Sequence, residues 1–123
     1  MNSPVPTTDP LFPARFLPLA EQICAAYYAE FPDHVDRFGE RGRAFCAHDN
    51  AYLIAWLVDD LDGQPGSFVR NVTWLAGVLD GRGFPMDAFA RNLELVASAV
   101  GETRPEDRER IAALVAGARP AIG

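Results

Sequence analysis

Residues 43–61, RAFCAHDNAYLIAWLVDDL, constrain the fold more than any other stretch. They hold eight consecutive apolar or aromatic residues, 51–58, and contain neither glycine nor proline. The run is too short to cross a bilayer, so it is expected as the central helix of a soluble bundle. At about 100° per residue, Phe45, Tyr52 and Trp56 share one face, with Asp49 in the middle of it and His48 on its shoulder. A carboxylate and an imidazole among aromatics form either a structural hydrogen-bond network or the wall of a binding site.

The flanking sequence is helical by the same reasoning. Phe16, Ala20, Ile23, Cys24, Tyr27 and Phe31 recur at helical spacing, which predicts a helix from residue 16 or 18 to residue 30. Pro18 falls in its first turn and Pro32 lies beyond its end. A short helix over residues 33–38, with Asp33 as its cap, precedes Gly39 and Gly42 at the loose start of the central helix. The central helix ends in Asp59-Asp60-Leu61-Asp62-Gly63, and carboxylates there oppose the helix dipole. They are expected to be solvated, or offset by the cluster Arg37, Arg41 and Arg43 or by the N-terminus of an adjacent helix.

After the break Gly63-Gln64-Pro65-Gly66, Ser67 is expected to cap a helix over residues 68–79 with Phe68, Val72, Leu75 and Leu79 on one stripe. Trp74 points away from that stripe, and Gly77 suggests a close helix crossing or backbone approach. Gly81-Arg82-Gly83 and Pro85 lead into a helix carrying Met86, Phe89, Leu93, Val96 and Val100, expected to stop at Gly101. Thr103-Arg104-Pro105-Glu106 is expected as a capping box for a last helix through Ile111, Leu114 and Val115. There is no internal repeat and no strand alternation. The expected fold is all-α, a four-helix-type bundle with an additional short helix and a C-terminal helix. It forms a single domain over residues 14–123 behind a flexible, proline-rich arm over residues 1–13. The alternative for the arm is a strap packed across the bundle through Leu11 and Phe12.

Charge narrows the partners. The formal net charge is −6, and the basic residues are all arginine without any run. That argues against a phosphate-backbone interface, which needs a clustered basic face. Without lysine, Schiff-base chemistry and a P-loop lysine are excluded. The N-terminus lacks an apolar signal core, so no membrane anchor is expected and the compartment expected is the cytoplasm. Cys24 and Cys46 are then reduced, with one Cys24–Cys46 bridge as the alternative.

Candidate chemistry centres on the aromatic face. His48, near Tyr52 and Trp56, would suit an axial ligand to haem or to the cobalt of a corrin; it would equally suit a hydrogen-bonded histidine at a core edge. Asp49 is expected in an ion pair with Arg41, Arg43 or Arg70. His34, in a turn after Pro32-Asp33, is expected at the surface. The two histidines lie on separate elements and no zinc or di-iron spacing is present, so no protein-only metal site is expected. Cys46 and His48 are two apart on one helix and do not face each other, and Cys24 sits on a core stripe. An acid/base pair of Asp49 and His48 lacks a third, orienting group. A non-enzymatic chain is expected. Trp74 and Tyr28, off their stripes, are candidates for a docking face or a flat-ligand pocket.

Residues 59–96 carry Phe68, Val72, Trp74, Leu75, Arg82, Gly83, Phe84 and Pro85 in an F-x3-V-x-W-L helix followed by an R-G-F-P turn. This pattern resembles the helical modules that accompany cobalamin-binding domains in bacterial sensory and regulatory proteins, and FGERGRAFCAHDNAYLIAWL resembles the start of such modules. The corrin-binding loop D-x-H-x-x-G and the W-H-x3-E-H motif of light-sensing caps are both absent, so no cobalt ligand carries over. The resemblance implies a sensory or regulatory module that binds a planar hydrophobic ligand, of tetrapyrrole type (haem, bilin or cobalamin). The expected pocket is lined by Tyr52, Trp56 and Trp74, with His48 or Asp49 as polar contact. The alternative is a protein–protein interaction or homodimerisation module with no small-molecule ligand.

Overall fold

The computed structural model describes residues 11–122. Among them the chain is all-α, with five α-helices and no strand, as the spacing predicts. The helices are α1 (Leu17–Glu30), α2 (Asp33–Leu61), α3 (Ser67–Gly81), α4 (Met86–Thr103) and α5 (Arg108–Ala118). Short 3-10 turns, Ala14–Phe16 and Pro105–Asp107, lead into α1 and α5, and a third, Arg119–Ala121, follows α5. The residues group into two compact units that divide between Ala55 and Trp56, inside α2.

In the first unit, α1 carries Pro18 in its first turn and buries Ala20, Ile23, Cys24 and Tyr27, the predicted stripe. The short helix and the central helix form one element interrupted at Gly39, whose φ of 64° and ψ of −159° no helix contains. Only glycine adopts that conformation without strain. Three residues on, a Cβ at Gly42 would collide with Phe38 Cβ, so the chain can fold back past the break only if position 42 has no side chain.

The buried side of α2 in this unit is Asn50, Ala51, Leu53 and Ile54. Phe45, Asp49 and Tyr52 lie about a third of a turn away and are half-buried. Burial goes to the aliphatic side because a stripe centred on a carboxylate is costly to desolvate. Phe12 is buried, at 8% exposure, whereas Leu11 is 84% exposed. The strap arrangement therefore holds for Phe12; residues 1–10 of the expected flexible arm lie outside the described residues.

In the second unit, α3, α4 and α5 each pack against the other two. Their core contains Phe68, Val72 and Leu75 from α3, Phe89, Leu93, Val96 and Val100 from α4, and Ile111, Val115 and Ala118 from α5. Ser67 is the first residue of α3 rather than its cap. The cap comes from the preceding helix: the buried Asp60 carboxylate accepts the Phe68 N–H at 3.0 Å. The acidic end of α2 is thus offset by an adjacent helix N-terminus. Two distant arginines complete the corner. Arg110 donates to the Leu61 carbonyl at 3.1 Å, and Arg104 holds Asp62 through bonds of 2.6 and 3.2 Å.

Three further expectations are corrected here. Helix α4 does not stop at Gly101 but runs to Thr103, because Arg108 lies over Gly101 and donates to its carbonyl at 3.1 Å. The capping box is not formed. Thr103 Oγ1 donates back to the Val100 carbonyl, and Arg104 bonds Asp107 across the 3-10 turn. Nor does Gly77 serve a close crossing, since it is exposed and nothing lies within 4 Å of where its Cβ would stand.

Gly77→Ala is therefore expected to stabilise the protein by about 0.5–1 kcal/mol, the helix-propensity gain, read as a higher urea midpoint at unchanged slope. Asp60→Ala is expected to cost about 1–2 kcal/mol through the lost cap, whereas Asp60→Asn, whose amide oxygen still accepts, should retain most of the stability. Urea unfolding of the two variants side by side checks this; an equal loss from both would mean that the carboxylate charge, not the cap, matters.

Candidate functional site

Three of the five residues singled out by sequence meet in the first unit. His48 Nδ1 donates to Asp49 Oδ1 at 3.1 Å, so Asp49 has its own neighbour as a partner where an arginine was expected. Both side chains are partly exposed, so the carboxylate needs no buried counter-charge. Arg43 is engaged elsewhere, with Glu40 at 3.8 Å and over the Tyr28 ring at 5.0 Å.

The imidazole of His48 sits among aromatic rings. Phe12 lies parallel to it, with centroids 5.4 Å apart and 7° between planes. Tyr52 meets it edge-on at 5.0 Å, Phe45 at 6.5 Å, and Phe12 and Tyr52 touch edge-on at 5.9 Å. Offset-stacked and edge-to-face arrangements are those that ring quadrupoles favour. In the neutral imidazole, a proton on Nδ1 directed to Asp49 leaves Nε2 as the ring nitrogen with a lone pair, the arrangement used by imidazoles that bind a metal or accept a hydrogen bond.

Trp56 and Trp74 belong to the second unit. Trp56 is half-buried on the last turns of α2, and Trp74 is 63% exposed on α3, as expected for a residue off its stripe.

Two polar clusters depart from the main expectations. His34 is not at the surface but buried, at 4% exposure. Its Nδ1 shares a 2.7 Å hydrogen bond with Tyr27 Oη, and its ring contacts Tyr27, Phe31 and Phe38 at centroid distances of 5.0–5.6 Å. The signal was in the sequence: Phe31, His34 and Phe38 stand at i, i+3 and i+7, so the stripe continues through the proline turn.

The second cluster is sulfur. Asn50, on the buried side of α2, donates its side-chain amide to Cys24 Sγ at 3.5 Å and to Cys46 Sγ at 3.4 Å. Both thiols are free and share this one amide. The neighbouring Cys46 thiol lowers the Cys24 thiol from its ordinary range, against the opposing effect of burial, while Cys24 holds the Cys46 proton well above it. Tyr28 stands nearby, its phenol pushed up to about 12 by burial and then by the charges of Cys46 and Cys24.

Among the described residues, no group of three or more His, Cys, Asp or Glu could hold a metal ion, and no helix is long and apolar enough to cross a membrane. Comparison with protein-family models, with curated proteins and with solved structures finds no match to this chain.

The buried His34 contact yields a direct check. Tyr27→Phe keeps the ring but removes the hydroxyl from a buried histidine, and is expected to cost about 1–2 kcal/mol in urea unfolding. A neutral result would mean that this hydrogen bond adds nothing to the other contacts that hold His34.

Proposed function

We propose that the chain is a non-enzymatic sensory or regulatory module that binds a planar hydrophobic ligand at His48, Asp49 and Tyr52. The observation that supports this most is the parallel stacking of Phe12 on His48. The imidazole already holds one flat aromatic group, delivered by the segment that precedes α1. A planar ligand that displaced Phe12 would inherit the stacked position, with Tyr52 and Phe45 presenting their edges and Asp49 fixing the imidazole proton. Displacement of a side chain that reports on its own segment is a simple way to couple binding to a change in the chain. The resemblance to cobalamin-associated helical modules suggests a tetrapyrrole of haem, bilin or cobalamin type. With a metallated macrocycle, His48 Nε2 is the atom that would face the metal.

A second reading rests on Trp74. A large aromatic exposed on α3 favours a protein–protein interaction or homodimerisation module, since such side chains anchor interfaces.

The readings separate in one titration. Purified protein is titrated with haem, biliverdin and hydroxocobalamin and read for shifted, saturable absorption bands. The ligand reading expects a stoichiometric shift with one of them, loss of that shift in His48→Ala, and tighter binding in Phe12→Ala, where the competing ring is gone. No shift with any compound, or a shift unaltered in His48→Ala, would remove this site. Sedimentation velocity then tests the second reading: it expects self-association or partner-dependent mass that Trp74→Ala abolishes.

A further inference from the structure

Cys24 comes from α1 and Cys46 from α2, and nothing in their sequence spacing pairs them. The fold does so. One amide, Asn50 Nδ2, reaches both sulfurs, at 3.5 and 3.4 Å, so the two thiols face the same donor. Asn50 is 2% exposed, so its amide is held in place by the core and its donor is aimed at sulfur rather than at water. The three side chains lie on the packed faces of the two helices: Cys24 is buried beside Ile23 and Tyr27, and Cys46 is partly accessible.

We propose that Cys24 and Cys46 form a reversible dithiol–disulfide pair, oxidised by a small hydroperoxide and stapling α1 to α2 when closed.

The chemistry balances within the pair and one peroxide. The sulfur carrying the thiolate attacks one peroxide oxygen, the O–O bond breaks, and the departing hydroxide takes up a proton to leave as water. The resulting sulfenic acid faces the second thiol, whose sulfur attacks it; the S–O bond breaks, the S–S bond forms, and the displaced hydroxide leaves with the second thiol's proton as water. Two thiols lose two hydrogens and two electrons, and hydrogen peroxide becomes two waters. The arrangement suits each step. The Asn50 amide donates to sulfur and so stabilises the thiolate that must attack, consistent with the lowered Cys24 thiol. The resolving thiol sits on the same amide, and this favours the disulfide over further oxidation. Tyr28, protonated up to about pH 12, adds no competing negative charge beside the pair.

The proposal does not depend on any ligand at His48, although the bond would alter the same helix two residues before it. It bears on regulation: a disulfide closing the segment between residues 24 and 46 would fix α1 against α2 across the Gly39 break.

The test uses the full chain, fully reduced and then exposed to a small molar excess of hydrogen peroxide. The expected result is loss of both titratable thiols, an intact mass lower by two hydrogens, and one non-reducing peptide linking residues 24 and 46, all reversed by dithiothreitol. Cys24→Ser and Cys46→Ser should each give no linked peptide and instead accumulate sulfinic acid on the remaining cysteine. Asn50→Ala, with helical circular dichroism retained, should slow thiol loss about tenfold, the worth of one hydrogen bond to a charged group. Thiols that still titrate after peroxide, oxidation of the wild-type chain to sulfinic acid without a linked peptide, or linkage only between molecules would each overturn the proposal.

Discussion

The hydrogen bond from the Phe68 amide to the Asp60 carboxylate organises the second unit. A carboxylate in the last turn of α2 opposes the dipole of its own helix, and the same carboxylate at the start of α3 meets the exposed amides of the next. The short link over residues 62–66 lets one side chain occupy both positions, turning an unfavourable placement into a corner. Asp60 can then be buried, because its charge is met by a backbone donor. The neighbouring groups follow suit: the Leu61 carbonyl receives Arg110, and Asp62 receives Arg104. The segments at the end of α2, the start of α3 and the approach to α5 are tied at one place.

Periodicity carried the helices. The stripes of α1, α3 and α4 are buried where the spacing of apolar residues puts them, and Pro18 and Pro32 bound α1. Capping was less legible, since its partners are chosen through space. Ser67 has the right chemistry for an N-cap, but Asp60, one helix back, outcompetes it with a full charge. Thr103 and Glu106 have the spacing of a capping box, yet Arg104 and Arg108 already hold that turn through Asp107 and the Gly101 carbonyl. Arg104 and Arg110 reach groups more than forty residues away, which no local pattern encodes.

The functional face was only partly legible for a related reason. A helix wheel ranks positions by angle, and the aromatic stripe of Phe45, Tyr52 and Trp56 read as a structural network or the wall of a site. The core is the neighbouring aliphatic face, and the aromatics with His48 and Asp49 form its half-exposed margin. Asp49 was expected to seek an arginine because a buried carboxylate must; at the margin a neighbouring imidazole suffices. Cys24 and Cys46 were expected reduced, with a bridge only as the alternative, and Asn50 was not singled out, because each is unremarkable alone. Their meaning lies in the meeting of two helices. His34 was misplaced by the proline beside it, a statement about backbone direction that says nothing about where a ring is buried.

The same distinction applies to Phe12. Four prolines before residue 14 describe a backbone poor in donors, and composition would draw the edge of the folded protein at Pro13. A strap that packs through its side chain does not need those donors. The ring at position 12 is part of the hydrophobic interior although its backbone belongs to no helix, so among the described residues the interior begins upstream of the first helical turn. A protease that cut just past that ring would strip the cover from His48 and Tyr52 while leaving α1 to α5 in place.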